Sequence, residues 1–128
     1  MEFTELAEFG KDFKKLLKKY KSLKDDFDTF KKVLSIDPRL TRLWEKWVKR
    51  VSWLWEELEW IEIYKVKRFR CCSISKNSKD SGLRIIYHYC EWEGKIEFEK
   101  VEFIEIFHKN TQSNHNQERI EGNYSNKE

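Results

Sequence analysis

Basic residues concentrate in one stretch of this sequence, and their spacing suits a phosphate ligand. Seven Lys and Arg residues and one Asp lie between Lys65 and Arg84, and the closest set is Lys65, Lys67, Arg68 and Arg70. Arg binds phosphate oxygens in a bidentate manner, and several cationic donors around one phosphate stabilise a dianionic phosphorane. The pattern predicts a phosphate-binding groove, although a merely solvated charged surface also explains it.

Which of these cations meet depends on the alternation of side chains along a strand. On a strand predicted from Ile61 to Ser75, alternation divides the cations between two faces: Lys65 and Lys67 on one, Arg68 and Arg70 on the other. A face packed against helices cannot bury cations without partners, so some of them must line an open, concave face. Neighbouring strands would bring Arg84, one of these pairs and His108 into one groove.

Two amphipathic helices are predicted before the basic stretch. Apolar residues recur at helical spacing from Phe9 to Leu23, while seven Lys and one Asp lie between Lys11 and Lys24. A capping signal at Ser22 opens a second apolar stripe, and Asp37-Pro38 ends it. A short edge strand is predicted within Glu2 to Glu8.

A third periodic stretch runs from Leu40 to Leu58 and contains four of the six Trp residues. Its apolar positions repeat at steps of three and four, which predicts a Trp-rich helix. Trp53 and Trp60 lie off the apolar stripe. Such a position indicates partial burial against a neighbour or, alternatively, a partner-binding surface.

After Glu59 the apolar period changes to two, which is typical of strands. Strands are predicted at Ile61 to Ser75, Leu83 to Trp92 and Ile96 to Phe107, the last long enough to carry a bulge. The fold class is therefore α+β: a helical hairpin and the Trp-rich helix, an insertion at about residues 39–60, pack on one face of a small antiparallel sheet. One domain is expected over residues 1–110. A polar tail follows at 111–128, with room for a short helix at Asn116 to Gly122.

Composition excludes several classes of protein. Hydrophobic residues make up 39% and charged residues 38% of the 128 positions, which does not fit disorder or a disulfide-rich knot. No apolar run approaches the ~20 residues of a membrane span, and Met1 is not followed by a secretory signal. With three Cys, reduced thiols in the cytoplasm are the simplest expectation.

Metal binding has little support from spacing. His88 and Cys90 share a strand face, and Cys72 or His108 could complete a zinc site. No pair of Cys has the usual separation of zinc ligands, so buried thiols and no metal or cofactor are expected.

The stretch from Tyr64 to Lys109 resembles toxins of the RelE/ParE superfamily. The resemblance rests on the basic strand, on the GLRIIY segment from Gly82 to Tyr87, and on the aromatic-His-Lys ending from Ile104 to Lys109. The helical hairpin from Lys11 to Leu34 is similar to the family's helical pair. The Trp-rich segment departs from the family pattern, and Ile96 to Lys100 lengthens the third strand.

The resemblance implies the toxin of a type II toxin–antitoxin system, held inactive by an antitoxin protein. It implies metal-independent cleavage of mRNA on the ribosome, with the 2′-hydroxyl attacking the adjacent phosphate to give a 2′,3′-cyclic phosphate. The catalytic residues are then Arg84, His108, Lys67 and Arg68. The residues expected to contact RNA are Lys65, Arg70 and Lys109. Tyr124 lies where some members of the family have a catalytic tyrosine.

Two other functions remain open at this point. The same fold inhibits DNA gyrase by binding in another branch of the superfamily, and that activity needs no acid–base residue. Alternatively, the chain is a decayed or repurposed interaction protein with the Trp-rich helix as its partner surface.

Overall fold

The computed structural model describes residues 1–41, 48–51, 61–67, 69, 71, 81–92, 98–112 and 114–124. Within these ranges it has an α+β fold with five strands and three helices. In chain order they are β1 (Glu2–Glu5), α1 (Ala7–Lys19), α2 (Leu23–Ile36), β2 (Val48–Arg50), β3 (Glu62–Val66), β4 (Leu83–Trp92), β5 (Phe98–His108) and α3 (Gln117–Tyr124).

The described strands form one sheet in the order β1-β5-β4-β3-β2. The pairs β2–β3, β3–β4 and β4–β5 are antiparallel, whereas β1 pairs parallel with β5. The sheet is therefore mixed, and the expectation of a purely antiparallel sheet is wrong at β1. α1 and α2 carry the chain from β1 at one edge of the sheet to β2 at the other. β1 and β5 are thus not joined by a tight turn, which would require antiparallel neighbours.

One face of the sheet, the hairpin face, is covered by α1 and α2. Phe9 and Phe27 are buried against Phe103 of β5, with ring centroids 5.5 and 4.7 Å from its ring. Tyr87 and Tyr89 of β4 are buried in the same core. Aromatic side chains of this size supply much of the apolar area that a short chain can bury.

The opposite face, the α3 face, carries a second apolar core. Ile63, Ile86 and Ile104 from three neighbouring strands pack with Ile120 of α3, and all four side chains are fully buried. The prediction that helices cover only one face is thus wrong. A short helix is expected at Asn116 to Gly122, and α3 does form there, at Gln117–Tyr124. Its polar composition does not indicate that it covers the sheet, since only one of its residues is buried.

The prediction of one continuous helix from Leu40 to Leu58 is also wrong. Val48–Arg50 forms β2, which pairs antiparallel with β3. Leu40 has a φ of 50°, a left-handed conformation that a helix cannot contain. The remaining Trp-rich positions, at 42–47 and 52–60, lie outside the described residues, as do Trp53 and Trp60.

β3 is shorter than the strand predicted from Ile61 to Ser75, because it ends at Val66. Phe69 is buried with Val66 in the core of the hairpin face. Phe69 therefore does not share a face with Lys65, as unbroken alternation would require. The backbone leaves the strand at Lys67.

A bulge interrupts the pairing of β4 with β5. Ile86 lies opposite Glu105 and Tyr87 opposite Phe103, so Ile104 is the extra residue. Ile104 and Glu105 consequently both lie on the α3 face. Beyond the bulge, the faces of all later residues of β5 are exchanged relative to a regular strand.

Gly82 precedes β4 with a φ of +85°, and a Cβ there would lie 2.7 Å from Nε2 of His108. We expect Gly82→Ala to lower the free energy of unfolding by about 1–2 kcal/mol, because L side chains are strained at positive φ. Urea unfolding measures the change. Gly122→Ala is the control, since nothing lies within 4 Å of its Cβ position and it is helical. That substitution should stabilise the protein by up to about 1 kcal/mol. Equal effects would contradict the assignment of strain to Gly82.

Candidate nucleic-acid interface

Four cations from three adjacent strands or strand ends gather beside the α3 face. We call them the basic cluster: Lys49, Lys65, Lys67 and Arg84. Lys65 lies opposite Ile86, whose side chain belongs to the core of the α3 face, and Lys49 lies directly opposite Lys65. Arg84 projects to this face as well, opposite Phe107.

Contacts within the basic cluster hold Arg84 beside the end of β3. Nη1 of Arg84 donates a short hydrogen bond to the carbonyl oxygen of Lys67. Nζ of Lys65 lies 5.8 Å from the centre of the Phe107 ring, which is the cross-strand neighbour of Arg84. A guanidinium and an ammonium group therefore approach the same region of the surface from neighbouring strands.

The charges of the basic cluster affect the pKa of Lys65. Burial lowers the pKa of Lys65, and the charges of Lys67, Arg84 and Lys49 lower it further, while Glu105 opposes them. Among the described residues, Lys49, Lys65 and Lys67 form no ion pair, and Lys65 donates instead to Oδ1 of Asn114 at 3.0 Å. Positive charge is thus concentrated here without a neutralising carboxylate on those three lysines.

Lys49 was missed by sequence reasoning. It lies within a stretch whose apolar period favours a helix, and only the pairing of β2 with β3 places it beside Lys65. A signal was present in the sequence: Val48 and Val51 are β-branched residues on either side of two cations. That signal is too short to outweigh the periodicity around it.

His108 is not brought together with Arg84. It lies opposite Leu83 of the hairpin-face core, and its ring is 6.5 Å from that of Tyr20. Its Nδ1 accepts a hydrogen bond from the backbone N–H of Asn110 at 3.1 Å. The exposed Lys109 follows at the end of β5. The bulge in β5 accounts for this position, because it turns His108 away from the α3 face.

His108 instead borders a cavity of about 210 Å³ beside the end of β5, between α1 and the segment before α3. Glu105 also lines it and is 97% buried, accepting hydrogen bonds from Nε2 of Gln112 and from the N–H of Asn116. Arg119 also lines the cavity, and it donates hydrogen bonds to Asp12 and to the carbonyl oxygen of Ile104. Burial lowers the pKa of Arg119, but Asp12, Glu105 and Glu8 together outweigh this effect and the pKa is raised.

A second polar group on the α3 face lies farther along β4. The rings of His88 and Tyr124 are 4.8 Å apart, and the Tyr124 hydroxyl donates a short hydrogen bond to Glu102. Burial lowers the pKa of His88 and raises that of Tyr124. His88 is four residues from Arg84, about 14 Å along a strand. Tyr124 therefore fastens α3 to the sheet and does not join the basic cluster.

The other predicted site residues, Arg68 and Arg70, lie outside the described residues, as does Cys72. Over the part of the chain that is described, no three His, Cys, Asp or Glu side chains are grouped so as to hold a metal ion. Cys71 is buried, with its Sγ 3.6 Å from the hydroxyl oxygen of Ser22, and Cys90 is a half-buried free thiol. No helix in the described ranges has the length and apolar character to cross a membrane.

Comparisons of this chain with protein-family models, with curated proteins and with solved structures gave no match. The geometry of the basic cluster is therefore the basis for a functional assignment. Ammonium and guanidinium groups on adjacent strands can bind phosphate oxygens and stabilise added negative charge on phosphorus.

The burial of His88 gives the stability of the fold a pH dependence. Unfolded His88 takes up a proton as the pH falls through about 6.5, whereas folded His88 stays neutral to a lower pH. The unfolded state then binds more protons, so stability decreases as the pH falls below about 6.5. We expect His88→Gln to reduce the loss in urea midpoint between pH 7.5 and pH 5.5. His115→Gln is the control, and an unchanged pH dependence in His88→Gln would contradict this account.

Proposed function

We propose that the protein is a metal-independent endoribonuclease and the toxin of a type II toxin–antitoxin system. The observation that carries the proposal is the gathering of Arg84, Lys65 and Lys67 on one side of the sheet. The RelE-like order of a helical pair, a basic strand and two further strands supports it. On this proposal the substrate is mRNA on the ribosome, and the partner that blocks the site is an antitoxin protein.

The proposed reaction is an internal transesterification of RNA. The 2′-hydroxyl loses its proton to a base and its oxygen bonds to the adjacent phosphorus, while the bond from phosphorus to the 5′-oxygen breaks. The leaving 5′-oxygen takes a proton from solvent water, so a 2′,3′-cyclic phosphate and a 5′-hydroxyl result. Arg84 and Lys67 would stabilise the added charge on the phosphoryl oxygens. Because its pKa is lowered, Lys65 is the lysine of the cluster best suited to accept the proton of the 2′-hydroxyl.

The position of His108 bears on the acid–base step. A general base must come within hydrogen-bond reach of the proton that it removes. His108 lies on the hairpin face, whereas Arg84 lies on the α3 face. We therefore assign the proton transfer at the 2′-hydroxyl to Lys65 in place of His108.

Substitution of Arg84 tests the site. We expect Arg84→Gln to reduce the rate of RNA cleavage by about 100-fold, which is the usual effect of removing one preorganised donor to a transition-state oxyanion. Arg84→Lys should recover part of the rate, because it keeps the charge and loses the bidentate geometry. The assay uses purified protein and mRNA-programmed ribosomes, and free RNA with EDTA for the metal-independent arm.

His108→Gln is the matched control, because it replaces a predicted catalytic residue on the opposite face. Its cleavage rate should remain close to that of the unsubstituted protein. Full cleavage by Arg84→Gln would contradict the proposed site. Loss of cleavage in His108→Gln, with the fold intact, would return the acid–base role to His108.

Inhibition of DNA gyrase by binding is a second candidate. One observation favours it: the histidine predicted for acid–base chemistry lies away from the basic cluster, and a binding inhibitor needs none. A supercoiling assay with purified protein separates the two functions. The nuclease proposal predicts unaffected supercoiling and cleaved RNA. Inhibited supercoiling without RNA cleavage would establish the second candidate instead.

A further inference from the structure

β2 contributes a cation, Lys49, to the basic cluster. Lys49 is not among the site residues implied by the resemblance to RelE/ParE toxins. Lys49 lies directly opposite Lys65 on the neighbouring strand, exposed to solvent, and its charge lowers the pKa of Lys65. We propose that Lys49 binds a second phosphate of the nucleic acid, so that the site accommodates a stretch of single-stranded RNA extending over β2. This inference rests on the proposed function and specifies the extent of its substrate.

The first argument is charge balance. The basic cluster contains four cations, and Lys49, Lys65 and Lys67 have no ion pair among the described residues. A phosphodiester carries one negative charge, so a single phosphate leaves most of the cluster uncompensated. A ligand with successive phosphates compensates cations on successive strands.

The second argument is the direction in which the cations are arranged. Arg84, Lys65 and Lys49 lie on β4, β3 and β2, which are consecutive neighbours in the sheet. Strands in a sheet are about 4.8 Å apart, so the backbones that carry these side chains span about 10 Å across the strands. A row of this length, ending at the edge strand, matches an extended polyanion crossing the strands better than a single compact anion.

The third argument is the cost of the arrangement. Like charges directly opposite each other on neighbouring strands destabilise a sheet. Lys49 and Lys65 are such a pair, and described carboxylates do not relieve Lys49. A Lys on an edge strand also protects the edge from pairing with other chains. That purely protective role predicts no effect of Lys49 on RNA affinity, so it can be tested separately.

The experiment compares Lys49→Gln with Lys32→Gln, which removes the same charge from an exposed position of α2. The probes are 2′-O-methyl RNAs, which lack the attacking hydroxyl: a dinucleotide with one phosphodiester and an octamer. Each phosphate contact adds about 0.7 to the salt slope of single-strand binding. Lys49→Gln should therefore lower the slope for the octamer by about 0.7 and weaken its binding about fivefold at 0.1 M salt. Dinucleotide binding should not change.

Three outcomes are distinguishable. Weaker octamer binding with an unchanged dinucleotide and a raised melting temperature supports the second-phosphate site, because relief of repulsion stabilises the variant. Octamer binding equal to that of Lys32→Gln overturns it and leaves edge protection as the role of Lys49. If Arg84→Gln also binds both probes normally, the proposed function itself fails, and not only this extension of it.

Discussion

The bulge in β5 is the constraint on which the distribution of side chains depends. In a regular strand with Phe103 on the hairpin face, Glu105 would enter the apolar core beneath the helices. A carboxylate there would be costly without polar partners. The bulge places Glu105 on the α3 face, where Gln112 and Asn116 donate to it. The need to satisfy Glu105 thus gives a physical reason for the bulge, and the bulge determines that His108 and Arg84 face opposite ways.

Two groups of described cations have different surroundings. Arg39 bridges Glu62 and Glu91, and Arg119 lies between Glu8 and Asp12, so both are neutralised within the fold. These pairs connect the turn after α2 to the sheet, and α3 to α1. The lysines of the basic cluster instead repel one another. That repulsion lowers the stability of the fold. Such local conflict between charge and stability is typical of functional sites.

The sequence predicts those elements whose signals are local. The bounds of β4 are the predicted ones, and α2 ends at the predicted Asp37-Pro38. The elements that differ from the sequence-based prediction depend on tertiary contacts. β2 is a three-residue strand that exists because β3 provides a partner, and no pattern of three residues outweighs a helical period. The faces of β5 depend on a bulge whose exact position follows from partners distant in the sequence.

In the candidate site, too, some features follow from local sequence and others from tertiary contacts. Alternation in the sequence predicts that Lys65 and Lys67 act together. They do lie close enough for the charge of Lys67 to lower the pKa of Lys65, although β3 ends at Val66 between them. The approach of Arg84 depends on the register of β3 with β4, and the absence of His108 from this face depends on the bulge. Lys65 and Asn114 join the site to the segment before α3, and Glu105 holds the same segment through Asn116. The basic cluster therefore has strands beneath it and a fixed segment beside it, which is the support that preorganised cations need to bind phosphate in one geometry.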